Sequence, residues 1–115
     1  MDIRIEKQNI RYKISERELQ MLLSGENIVQ RTECNTGDMV FGITIITGEK
    51  GIKFSWEVSE KVVTGILYVS PDMLTILNEK GRSREGVEDK DGELALALMV
   101  DIHQDARRVK IRNSI

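Results

Sequence analysis

The sequence predicts an α+β domain: a mostly antiparallel, curved β-sheet of six to eight strands with two short helices, in the order β-β-α-β-β-β-β-α-β. Three observations carry that prediction. Apolar and polar residues alternate with period two in "IRIEKQNIRYKI", "MVFGITIIT", "IKFSWEV" and "ELALALMVDI", as in strands with one wet face. Helix-start chemistry occurs at two places, Ser15 and Ser70. Clusters of Gly, Asn and Asp separate the apolar runs and suit turns. At 115 residues, 40% hydrophobic and 31% charged, the chain fits one domain over 1–115 around one core.

In "IRIEKQNIRYKI" two short alternating runs flank Gln8-Asn9 and read as a hairpin. One face is apolar; the other carries Arg4, Glu6, Arg11 and Lys13. Ser15 followed by Glu18 forms a capping box, and Leu19, Leu22 and Leu23 share a face until Gly25, which predicts a helix near 16–24. "NIVQRTEC" reads as a strand and "NTGD" as a turn. Met39, Phe41, Ile43 and Ile45 face one way on a longer strand. "GEKG" is read as returning the chain, so that Ile52, Phe54, Trp56 and Val58 pair antiparallel with it. "VVTGILYV" is apolar on both faces and reads as a central strand or one covered by a helix. Ser70-Pro71-Asp72 opens a second helix near 71–80, with Pro at the first helical position and an acid by the positive end of the dipole. "RSREGVEDKDG" reads as an exposed loop. "ELALALMVDI" then alternates strictly, and residues 107–115 form an edge strand through Val109 and Ile111 or fray. No internal repeat is visible.

A net charge of −2 gives no global attraction to nucleic acid, so an anionic ligand must find a local site. "MDIRIEKQNI" lacks the apolar run of a signal peptide, and no stretch approaches the roughly 18 apolar residues of a membrane span; the expectation is a cytoplasmic protein. Cys34 is the single cysteine, which leaves no intrachain disulfide and no multi-cysteine zinc site.

"IRIEKQNIRYKISERELQMLLSGENIVQRTE", followed by a long hairpin, the "LYVSPDML" strand-to-helix joint and a late apolar strand, resembles a family of small uncharacterised bacterial proteins. The resemblance spans most of the chain. It implies a fold and no activity, because its carriers are "IRI…NIRYKIS", the capped helix and "ENIVQRTE". Members often end in a cysteine-bearing stretch, whereas "DIHQDARRVKIRNSI" has none.

Chemistry-bearing residues are few. "DKDG" at 89–92 shares residues with a calcium loop but lacks the remaining ligands and leads into a strand, so it reads as a turn. His103 lies between Asp101 and Asp105, yet one His and one Cys cannot build the usual zinc site. Cys34 has no His nearby and reads as a bystander thiol. Gly37, Gly42, Gly48 and Gly51 do not form a phosphate-cradling loop. The aromatic residues lie mostly on apolar strand phases and read as core. The basic residues remain: Arg4, Arg11 and Lys13 share one strand phase, and Arg107, Arg108, Lys110 and Arg112 cluster in the tail. The bland reading is a wet, edge-protecting surface. The functional one is an anion-binding patch of Arg4, Arg11, Lys13, Arg108 and Lys110, in its sharper form a polar groove.

The expected function follows: a non-catalytic binding or accessory module for an anionic ligand or protein partner, without cofactor or metal. The alternative is a small enzyme acting on a phosphorylated or other anionic substrate in the groove. Apolar surface on 62–69 and on Ala95, Ala97 and Met99 also predicts a homodimer.

Overall fold

The structure, a computed structural model, describes residues 1–80 and 86–101. Its elements are β1 (Asp2–Glu6), β2 (Asn9–Ile14), α1 (Glu16–Leu23), β3 (Ile28–Cys34), β4 (Gly37–Ile45), β5 (Ile52–Ser59), β6 (Val62–Val69), α2 (Pro71–Lys80), β7 (Val87–Asp91) and β8 (Leu94–Val100). Both helices form where their caps predict. Ser15 Oγ accepts the Glu18 N–H at 3.1 Å, and Glu18 Oε1 accepts the Ser15 N–H at 3.0 Å, the reciprocal capping box. Ser70 Oγ accepts from the Met73 N–H at the start of α2.

The strands come as four antiparallel hairpins, closed by Lys7-Gln8, Asn35-Thr36, Glu60-Lys61 and Gly92-Glu93. Lys7 (φ 46°) and Gly92 (φ 63°) hold the left-handed conformation that two-residue turns favour.

The hairpins do not make the single curved, mostly antiparallel sheet expected from the sequence. They form two four-stranded mixed sheets, β1-β2-β8-β7 and β3-β4-β6-β5, whose central pairs, β2 with β8 and β4 with β6, are parallel. The predicted pairing of the 52–58 strand with the preceding one is therefore corrected: β5 pairs with β6, and residues 46–51 carry the chain past β6 to the edge. The physical reason is polarity. The apolar "VVTGILYV" and "GDMVFGITI" occupy the sheet interior, while the strand carrying Lys53 and Glu57 takes an edge. Residues 87–91, read as loop, are strand β7, an edge strand in which Val87 alone is buried. Its charges hide it from a hydrophobic pattern. The tail with His103, Arg107, Arg108, Lys110 and Arg112, and residues 81–85, lie outside the described residues.

The order ββαββ occurs twice, and the two copies interlock: each sheet joins the first hairpin of one copy to the second hairpin of the other. Equivalent backbone bonds repeat this relation. Asp101 N–H donates to Ile14 O (2.8 Å) as Ile46 N–H does to Val69 O (3.0 Å); at the far strand ends, offset by two residues, Ala95 N–H donates to Gln8 O (2.9 Å) and Asp38 N–H to Lys61 O (2.8 Å), each carbonyl belonging to the last residue of a hairpin turn. The repeat is structural, with little left in the sequence beyond the Ile14-Ser15 and Val69-Ser70 joints.

One core fills the space between the sheets. Tyr12, Ile14, Leu96 and Leu98 from one sheet meet Phe41, Ile43, Leu67 and Val69 from the other, and Leu19, Leu22, Leu74 and Leu77 of the two helices, which pack on each other, join them. Sheet two is longer, and its end overhangs: Trp56 is 51% and Val58 68% exposed although they lie on the core phase. Phe41, Phe54 and Trp56 pack around Gly65, where a Cβ would come within about 3.0 Å of all three rings. The expectation that the aromatic residues are core holds for Tyr12 and Phe41 and fails for Trp56. Among the described residues no helix is long and apolar enough to cross a membrane.

Candidate functional site

Two seams run between the sheets where an edge strand of one faces an edge strand of the other. At the first, β7 faces β5. Asp89 Oδ2 accepts the Ile52 N–H at 2.8 Å and Asp91 Oδ2 accepts the Phe54 N–H at 3.2 Å, so two carboxylates on alternate residues of β7 close the seam against the backbone of β5. Gly51 completes it. Its φ of +93° and the adjacent Asp89 carboxylate exclude a side chain there, while its N–H donates to Ser70 Oγ and its carbonyl accepts from the Ser70 N–H. The sequence reading assigned Asp89 and Asp91 to a turn; the turn lies at Gly92, and both acids are seam acceptors.

The second seam lies between β1 and β3, and the internal two-fold relates it to the first. In the strand registers Gln30 takes the place of Asp89 and Thr32 that of Asp91. Ile3 stands where Phe54 does. This seam is open. A groove of about 500 Å³ lies here, lined by Met1, Asp2, Ile3, Arg4, Arg11, Lys13, Gln30 and Asp101.

Three residues predicted from the sequence therefore come together in this groove: Arg4, Arg11 and Lys13. Arg4 and Arg11 are exposed as expected, and Lys13 is half-buried, which departs from a fully exposed basic face. Arg4 sits directly opposite Arg11 in the β1–β2 ladder, a like-charge pairing that costs a few tenths to about 1 kcal/mol. Among the described residues none of the three forms a salt bridge with a carboxylate. The juxtaposition of two guanidinium groups and an ammonium group without such a partner favours an anion in the groove. Arg108 and Lys110 lie outside the described residues.

The groove also contains residues that the sequence did not single out. Gln30 is contributed by the other sheet, and Asp2 and Asp101 are also among the lining residues. No local signal marks Gln30, because only the meeting of β1 with β3 makes it a lining residue. Asp101, in sequence a neighbour of His103, forms part of the groove wall.

The remaining candidates lie elsewhere. Cys34 is exposed at the end of β3, where its thiol donates to the Gly37 carbonyl at 2.8 Å, and hydrogen bonding with Thr36 holds it below the usual thiol range. Other charged strand residues are paired: Arg31 with Asp38 and Glu33, and Lys53 with Glu49. No protein-family model matches the chain, and no curated protein matches it.

Proposed function

We propose that this protein is a small non-catalytic binding module that holds an anionic group of its ligand or partner in the groove beside β1. One observation carries the reading: Arg4, Arg11 and Lys13 converge on a concave space without carboxylate partners among the described residues. Guanidinium groups supply fork-shaped donors and the ammonium a point charge, a set suited to phosphate or carboxylate. Such contacts with exposed cations are screened, so affinity falls from low to physiological salt. The test is retention on a phosphate-bearing column at low salt. Arg4→Ser, Arg11→Ser and Lys13→Ser combined should abolish retention while circular dichroism stays unchanged. Unchanged retention would place the site elsewhere; unfolding would make the three residues structural.

The proposed setting is the cytoplasm, in keeping with the sequence and its resemblance to small bacterial proteins, and a homodimer over the outward apolar residues of β6 belongs to the same proposal. Light scattering that returns a monomer at tens of micromolar removes the dimer. A second reading rests on Asp2 and Asp101 lining the groove with the cations: a small enzyme acting on a phosphorylated or other anionic substrate. Hydrolysis of p-nitrophenyl phosphate that Asp101→Asn abolishes would favour it over the module.

A further inference from the structure

Resting on the anion-binding reading, we infer that the second seam accepts an extended acidic peptide whose carboxylates lie on alternate residues, an Asp-x-Asp pattern, against the Ile3–Ile5 edge of β1, which no described strand pairs. The protein displays this mode of recognition at its other seam, where "DKD" of β7 presents Asp89 and Asp91 to the amides of β5. The edge of β1 offers equivalent donors. Its hairpin closes through two residues, so the flanking pair Glu6 with Asn9 exchanges both backbone bonds and the pattern alternates from there. Arg4 with Arg11 and Asp2 with Lys13 are then bonded pairs. The amides of Ile3 and Ile5 consequently point away from β2; Ile3 stands where Phe54 does, and the place of Ile52 is taken by Met1, whose ammonium pairs with Glu18.

At the open seam the positions equivalent to Asp89 and Asp91 hold Gln30 and Thr32, neither of which is anionic. Among the described residues no side-chain acceptor reaches the amides of Ile3 or Ile5. The closed seam satisfies its strand edge with carboxylates, and the open one presents the same backbone pattern beside Arg4, Arg11 and Lys13. An extended strand places alternate side chains on one face about 6.6–6.8 Å apart, so two carboxylates on residues i and i+2 match successive outward amides of β1. Carboxylate-to-amide bonds along the edge, with Arg4, Arg11 and Lys13 alongside, supply affinity and specificity together.

The probe is the synthetic capped peptide Val-Glu-Asp-Lys-Asp-Gly, the protein's own 87–92 sequence, titrated into the intact protein at low salt and followed by amide chemical shifts. It should perturb the Ile3 and Ile5 amides, and the same peptide with both Asp replaced by Asn should bind about tenfold or more weakly, the effect of losing one to two charge-assisted bonds. Thr32→Asp places a carboxylate at the position of Asp91, which at the open seam faces the Ile3 amide, and should abolish peptide binding. If that variant fails to fold, the shift map on the unsubstituted protein decides. Shifts confined to other strands, or equal affinity for the Asp and Asn peptides, would overturn the peptide assignment. Binding of inorganic phosphate without binding of the peptide would overturn it while leaving the anion groove intact. Binding of neither would overturn both readings.

Discussion

The two seams have the same backbone plan and opposite side-chain solutions. At β5 and β7, carboxylates meet outward amides and the edges are held together. At β1 and β3, Gln30 and Thr32 occupy the equivalent places, and the cations of the β1–β2 hairpin line an open groove. The difference teaches that a strand edge given two aspartates becomes part of the fold, whereas the same edge without them keeps its outward amides unmet by side-chain acceptors among the described residues. The remainder of the two repeats argues for their equivalence, since the helices start at matching joints and contribute two leucines each to a shared core.

The largest expected effect tests that equivalence in the core. Leu22 and Leu77 are each 1% exposed, so Leu22→Ala and Leu77→Ala should each cost about 2–5 kcal/mol in urea unfolding. Similar costs would support the two repeats as energetic equals. A loss confined to one helix would show that a single repeat carries the fold.

Next come the seams themselves. Asp89→Ala leaves the amide of Ile52, a residue 1% exposed, without its acceptor, a loss of about 1–3 kcal/mol. Gln30→Ala, at the equivalent position of the open seam, should change stability by no more than about 0.5 kcal/mol. Thermal unfolding of the two variants measures the contrast directly; equal losses would mean that the second seam is closed after all.

A smaller effect separates Tyr12 from Leu67, its counterpart in the other repeat. Tyr12 is fully buried, and its hydroxyl donates to the Gly65 carbonyl at 3.2 Å. Burial pushes its ionisation well above the ordinary tyrosine value. The folded state therefore keeps a proton that the unfolded chain releases above pH of about 10. Stability from this source is full below that pH and falls as pH rises through the folded-state value. Tyr12→Phe should cost about 0.5–1.5 kcal/mol near neutrality and flatten the alkaline decline. If denaturant midpoints fall equally steeply in both proteins above pH 10, another group controls that limb.

How much of this was legible in the sequence depends on how far each signal reaches along the chain. Capping at Ser15 and Ser70 is local chemistry, and both helices appear where those residues place them. Alternation in 3–14, 39–47, 52–58 and 93–102 located strands but could not fix their partners. The parallel pairing of β4 with β6, and the edge position of β5, depend on which apolar strands compete for the interior of a sheet. Strand β7 was lost because a short edge strand closed by its own aspartates carries the composition of a loop. Arg4, Arg11 and Lys13 were legible as one strand phase. Their concavity was not, because Gln30 and Asp101 come from distant parts of the chain. The repeat escaped notice for a related reason: Tyr12 and Leu67, or Asp89 and Gln30, occupy equivalent places with unlike chemistry.

The smallest effect is a control on the seam assignment. Cys34 ends β3, four residues beyond Gln30 and about 13 Å from it along an extended strand. Its thiol lies 3.5 Å from Thr36 Oγ1 and donates to the Gly37 carbonyl, and hydrogen bonding with Thr36 lowers its ionisation. The thiolate is the reactive form, so alkylation by iodoacetamide near neutral pH should be faster than that of a cysteine in an unstructured peptide. Thr36→Ala should shift the pH profile of the rate upward. The acidic peptide should leave the Cys34 rate unchanged, because a ligand seated between the edges of β1 and β3 at Gln30 stops short of the β3–β4 turn. Protection of Cys34 would instead put the peptide over that turn, where Arg31 is the nearby cation and is already paired with Asp38. The open seam would then lose its claim to be the site, even if binding itself were real.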